Sequence, residues 1–167
     1  GIGRTVTLTT DGTNTATGDY VIQEGDDSLD LSVLAIGSTT IEDNSGNPLG
    51  NAPVPPGSNL HELRDLIIDT ERPTIDSFTS TSPNDVYKSG GTIDLVATAS
   101  ETVTAGSQIV VTLNNSGTTR LVAPSDGTTL TGTYTVDAAD SSVSILSVDS
   151  FTPIVVLDSA GNALQDT

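Results

Sequence analysis

Leu130-Thr131-Gly132-Thr133-Tyr134-Thr135-Val136 puts Leu130, Gly132, Tyr134 and Val136 at alternate positions, with threonines between them. Side chains of an extended chain point alternately to its two faces, so this pattern predicts a half-buried β-strand. Thr5-Val6-Thr7-Leu8 and Thr92-Ile93-Asp94-Leu95-Val96-Ala97 alternate in the same way. Gly, Asn, Asp, Ser and Pro punctuate these runs, as turns require. Strands are expected near 73–79, 92–98, 108–114, 119–123, 129–136, 143–148 and 153–157, with one more near 63–68. No stretch sustains a helical period. The best candidate is Asn59–Leu66, a turn or two of helix with Ser58 placed to cap it. The expected fold class is all-β.

Working outward, the strand at Tyr134 belongs to a second copy of an earlier segment. Tyr20-Val21-Ile22, Gly25-Asp26-Asp27-Ser28 and Thr40-Ile41-Glu42-Asp43-Asn44-Ser45-Gly46-Asn47-Pro48-Leu49 recur as Tyr134-Thr135-Val136, Ala139-Asp140-Ser141-Ser142 and Val155-Val156-Leu157-Asp158-Ser159-Ala160-Gly161-Asn162-Ala163-Leu164. Asp11-Gly12 and Asp126-Gly127 match as well. The offset is 114 at the tyrosines and 115 at the Asp-Asn turns. Such a period is far longer than a solenoid unit of about 20–50 residues and close to the roughly 100 residues of a β-sandwich. The expected domains are therefore residues 1–70, the C-terminal half of one repeat, and 71–167, a second repeat without its final strand. Asp69-Thr70-Glu71-Arg72-Pro73-Thr74 forms the junction.

Composition narrows the function. The 167 residues carry 22 acids against 5 Lys and Arg, a formal net charge of −17. Such a chain repels phosphate backbones and anionic lipid, so nucleic acid is not an expected partner. No apolar run approaches the roughly 20 residues of a spanning helix, so no membrane insertion is expected. The absence of Cys removes disulfides and thiolate metal sites. Aromatics make up 3 % of the chain, too few to wall a sugar subsite. His61 is the only histidine, and no catalytic constellation stands out, so the chain is not expected to be an enzyme.

The series Tyr20–Ile22, Gly25–Leu31, Thr40–Asn47, Pro56–Ser58 and Ile67–Ile75, continued by Tyr87-Lys88-Ser89-Gly90-Gly91-Thr92-Ile93 and Ala99–Val103, resembles bacterial immunoglobulin-like tandem repeats of large cell-surface and biofilm adhesins. The resemblance implies immunoglobulin-like Greek-key β-sandwich repeats, an extracellular or cell-surface location, and a structural role as spacer or scaffold. It also implies that Ca²⁺ could rigidify the junctions. The second copy departs at Ala139, where the first has Gly25, and at Ser144, where the first has Asp30.

If the connections of a seven-strand sandwich alternate between its two poles, Asp26, Asp27, Asp69, Glu71, Glu101 and Asp158 converge on the linker. Glu101 then sits in the loop after strand 92–98. Ca²⁺ takes six to eight oxygen ligands, and these acids are its expected metal ligands. The competing expectation is ordinary turn chemistry, in which Asp and Asn bind their own backbone. Asp43–Asn47 lacks the spacing of a calcium loop and predicts a tight turn with Gly46 at positive φ. Expected partners are neighbouring repeats, or identical subunits joined through sheet edges. The alternative function is a self-assembling extracellular filament or sheath subunit built by strand complementation between chains.

Overall fold

A computed structural model describes residues 3–37, 40–48 and 53–165. Leu49, Asn51 and Ala52, which belong to the repeat and to the Pro-rich loop before Asn59, lie outside the described residues. The chain forms two compact units, Gly1–Glu71 and Arg72–Thr167.

In the first unit, β1 (Thr9–Thr10) pairs antiparallel with β2 (Ala16–Thr17) in the register Thr9↔Thr17 and Thr10↔Ala16. Helix α1 spans Leu60–Leu63. Its N-cap is Asn59, not the expected Ser58. The Asn59 side chain accepts from Leu60 N at 2.7 Å, and the Glu62 carboxylate accepts from Asn59 N at 2.9 Å and Gly57 N at 2.9 Å. This reciprocal capping box satisfies donors that a short helix leaves open. The asparagine wins the cap because its amide also clasps Val33, accepting from Val33 N at 2.8 Å and donating to Val33 O at 2.9 Å. The strand expected near 63–68 is reduced to a single bridge, Ser28↔Ile68. Ser28 and Ile68 exchange both backbone bonds at 2.8 Å, and Leu31 N donates to Leu66 O at 2.8 Å. Ile68 is the one buried hydrophobic residue of this unit among the described residues.

The second unit is a six-stranded antiparallel sheet in the order β3-β4-β7-β6-β5-β8. The strands are β3 (Ile75–Ser80), β4 (Thr92–Val103), β5 (Gln108–Leu113), β6 (Thr118–Val122), β7 (Gly127–Thr135) and β8 (Val148–Val155). The alternation of Thr92–Ala97 becomes strict burial of Ile93, Leu95, Ala97 and Ala99, and Ile109, Val111, Leu113, Leu121, Leu130 and Tyr134 fill the same core. The strands at the two ends of the sheet order meet through Phe78 on β3 and Phe151 on β8, whose ring centroids lie 5.6 Å apart. The sheet is therefore curled around its core. Pro153 sits in β8, which among the described residues pairs only with β5; an edge strand tolerates the missing N–H.

Two expectations change here. The short strand near 143–148 is absent, and β8 starts at Val148 instead. β4 runs through Glu101 to Val103, with a register shift between Thr98 and Val103, so Glu101 lies in a strand and not in a loop after position 98. The stretch after Asp158 also folds back: Leu157 bridges Ala163, Leu164 N donates to Val156 O at 3.0 Å, and Gln165 N donates to Pro73 O at 2.9 Å.

Candidate functional site

The chemistry-bearing groups of this chain are carboxylates, and four of them, Asp26, Asp43, Asp140 and Asp158, are committed to turns that occur in both units. In the first unit Tyr20 donates its hydroxyl to Asp26 Oδ2 at 2.6 Å, and Gln23 N donates to the same oxygen at 2.8 Å. In the second unit Tyr134 donates to Asp140 Oδ2, and Asp137 N donates to it at 2.6 Å. The two constellations lie 114 residues apart, the offset of the tyrosines. A carboxylate that accepts a backbone N–H three residues before it closes the turn, and the phenol six residues before it ties that turn to the strand.

The Asp-Asn turns coincide even more closely. Asp43 N donates to Asn47 O at 2.9 Å, while Asp43 accepts from Asn47 N at 2.9 Å and Asn47 Nδ2 at 2.8 Å. Asp158 N donates to Asn162 O at 3.1 Å, while Asp158 accepts from Asn162 N at 2.8 Å and Nδ2 at 2.8 Å. Gly46 and Gly161 hold φ of 81° and 93°, the left-handed region that glycine enters without a Cβ penalty. Glu42 bridges Pro48, as Leu157 bridges Ala163.

One matched pair separates. The hairpin register Thr9↔Thr17 corresponds to Val122↔Thr131, which makes the second hairpin one residue longer. Asp11 therefore caps its own turn through Thr13 N at 3.2 Å, whereas Asp126 reaches Ala105 N at 2.8 Å. The shared Asp-Gly letters do different work.

Four of the six expected metal ligands belong to the first unit. Asp26 is buried and receives Arg4 Nε at 2.6 Å in addition to Tyr20 and Gln23. Its pKa is held below the ordinary carboxylate value, first by the Tyr20 hydroxyl, with burial opposing and Arg4 assisting. Asp27 accepts from Thr70 N at 2.7 Å and Thr70 Oγ1 at 2.8 Å, which lower its pKa in the same way. Asp69 Oδ1 accepts from Glu71 N at 3.2 Å, and Glu71 is exposed. Asp26 and Asp27 are thus tie points within their own unit.

The remaining two, Glu101 and Asp158, belong to the second unit and meet there. Asp158 is 2 % exposed and Glu101 is half-buried. Their carboxylates approach within 4.8 Å. Extension of β4 to Val103 brings this about, because Val103 bridges Asp158 directly.

Sequence reasoning missed Asn115. It is 4 % exposed, donates Nδ2 to Tyr134 Oη at 2.7 Å, and accepts from Gly117 N at 3.0 Å. Its position after a strand end and before Ser116-Gly117 was a turn signal, but its reach to Tyr134 depends on β5 and β7 sharing one sheet.

Asp26 makes the first unit sensitive to acid. A carboxylate whose folded pKa is depressed contributes stability above its unfolded pKa of about 3.9 and loses it as pH falls through the folded value. Tyr20→Phe removes the largest cause of that depression. The acid-induced loss of the Gln23–Asp26 turn, followed by amide NMR from pH 6 to pH 2, should then shift to higher pH in Tyr20→Phe than in the parent chain.

The fold and its sites define an all-β chain carrying two copies of one turn-and-strand pattern. Compared with known protein families, curated proteins and solved structures, the chain matches none. Among the described residues no helix is long and apolar enough to cross a membrane.

Proposed function

We propose that this chain is a structural segment of a bacterial cell-surface or matrix protein, an array of immunoglobulin-like sandwich repeats that acts as an extracellular spacer or scaffold. The observation that carries this reading is the recurrence of the Tyr20–Asp26 and Asp43–Asn47 bonding patterns at Tyr134–Asp140 and Asp158–Asn162. Duplicated folding elements serve an array better than a single ligand pocket does. The order β4-β7-β6-β5 supports the sandwich assignment. β5, β6 and β7 follow one another as hairpins, and β4, which precedes them in the chain, lies beside β7, the last of the three, a Greek-key order. The reading is non-enzymatic, and Asp26, Asp27, Asp43 and Asp140 serve it as turn and tie residues. An antibody raised against the second unit should label intact cells of the source organism without permeabilisation. Labelling only after lysis would overturn the surface assignment.

Calcium binding is part of the same proposal, with Glu101 and Asp158 as its carboxylate ligands. Calcium favours oxygen donors, and two close carboxylates supply charge as well as ligand atoms. A ligand that binds only the folded state at 100 times its Kd adds about 2.7 kcal/mol. For a unit of this size each kcal/mol moves Tm by about 4–8 °C. Calcium should therefore raise the Tm of the second unit over that in EDTA, and Glu101→Gln should remove the rise. Identical melting curves with calcium and with EDTA would retire the site.

A further inference from the structure

The two units share their turns but not their burial. Leu8 and Leu121 hold equivalent places beside Gly18 and Gly132, yet Leu8 is 54 % exposed and Leu121 is 0 % exposed. The cover over Leu121 has an identifiable origin. β5 lies against β6 with Ile109 opposite Leu121, and β4 lies against β7 with Leu95 opposite Gly132 and Ile93 opposite Tyr134. In the first unit β1 and β2 pair only with each other among the described residues. Val21, Leu29 and Leu34 stand exposed with Leu8. The sheet edges that β4 and β5 occupy in the second unit are open there.

We infer that the first unit is a receptor for a strand pair of the β4–β5 pattern, supplied by a further half-repeat of the kind that Arg72–Asn115 represents. The match is specific in register: the incoming counterpart of Leu95 lies opposite Gly18, that of Ile93 opposite Tyr20, and that of Ile109 opposite Leu8. Gly18 supports this assignment. A Cβ there would meet Thr7 O and Leu8 Cδ2, and one at Gly132 would meet Arg120 O and Leu121 Cδ2, so the receiving strands of the two units are built alike. Backbone pairing with an open sheet edge supplies affinity, and alternate side chains entering the apolar face supply selectivity. A second folded copy of this chain is a poorer occupant. Its own Ile93, Leu95, Ile109 and Val111 already fill its second unit, so donating them opens one core to close another.

This inference rests on the repeat relation used in the proposed function, and it is independent of cellular location. The test uses the full 167-residue chain with isotope label and an unlabelled peptide spanning Arg72–Asn115. Saturable binding should slow amide exchange at Thr7–Leu8 and Ala16–Tyr20 by about tenfold or more. Leu8→Asp in the chain, or Leu95→Asp in the peptide, should abolish it. The chain variant should leave the melting of the second unit unchanged. Because the free peptide could aggregate, a second arm joins the same segment to the N-terminus of the chain through a Gly/Ser linker. Protection of Thr7–Leu8 and Ala16–Tyr20 in that fusion supports the inference. Unprotected amides in the fusion, or peptide-induced changes confined to the second unit, overturn it. Concentration-dependent self-association of the peptide-free chain that protects the same amides also overturns it, because a second copy would then be the occupant. An antibody that fails to label intact cells would leave these outcomes untouched.

Discussion

Leu121→Ala should destabilise the second unit by about 3–5 kcal/mol, the range for truncating a fully buried leucine in a core that cannot collapse around the cavity. Leu121 is fully buried, and its neighbours Ile109, Val111, Leu113 and Leu130 are each at most 2 % exposed. They belong to strands fixed by ladder bonds on β5, β6 and β7, so the lost contacts are not replaced. Leu8→Ala, the same change at the equivalent place in the first unit, should cost only about 0.5 kcal/mol, as exposed substitutions do. Urea titrations of the single variants, read from amide signals belonging to each unit, measure the two costs separately. Equal costs would show that Leu8 is covered in solution and that the open face is closed in the isolated chain. The contrast also reports on complementation. Once a half-repeat of the Arg72–Asn115 pattern is seated, Leu8→Ala should approach the cost of Leu121→Ala.

The strands of the second unit were legible because their alternation is local. Thr92–Ala97 and Leu130–Val136 each carry the period-2 signal within seven residues or fewer, and the structure buries the predicted face of each. The Asp43–Asn47 turn was legible for the same reason, since its bonds run between residues at most four apart. Boundaries set by distant partners were not. β4 continues past Ser100 to Val103 because Val103 has two partners, Gly127 and Asp158, and neither is visible from the Ala99-Ser100-Glu101 sequence. Ser58 and Asn59 are both good caps by residue type. What separates them is Val33, 26 residues away.

The acids show the same division. Counting poles could gather six carboxylates at a linker on paper, but it could not say which of them were already bonded. Asp26 is spoken for by Arg4, Tyr20 and Gln23, and Asp27 by Thr70. The Tyr20–Asp26 spacing was present in the sequence and recurs at Tyr134–Asp140. A repeated Tyr with Asp six residues on was therefore the available sign that these aspartates serve the fold. Glu101 and Asp158 met for a reason the pole count lacked, namely the extra length of β4.

Gly132→Ala should be the most damaging single-methyl change in the chain, costing about 3 kcal/mol or more. The reason is space and not backbone angle. Gly132 lies within β7 outside the positive-φ set, but a Cβ there would fall on the backbone oxygen of Arg120, well inside the 3.0 Å that real Cβ atoms respect, and would lie 2.8 Å from Leu121 Cδ2. A flexible side chain could move aside; the backbone carbonyl of Arg120 moves only if β6 itself shifts, and β6 is fixed by its pairing with β5. Overpacking of this kind costs about 1–3 kcal/mol where neighbours can adjust and more where they cannot. Gly161→Ala supplies the control. Gly161 has φ 93° with nothing within 4 Å of the added Cβ, so its cost is conformational alone, about 1–2 kcal/mol. Thermal unfolding of the two variants should therefore rank Gly132→Ala well below Gly161→Ala in Tm. The reverse order would mean that β6 and β7 can separate without loss. Gly18→Ala carries the same clash with Thr7 O in the first unit. It should erase the β1–β2 cross-strand contacts while the melting of the second unit stays put, because the strands it forces apart belong only to the first.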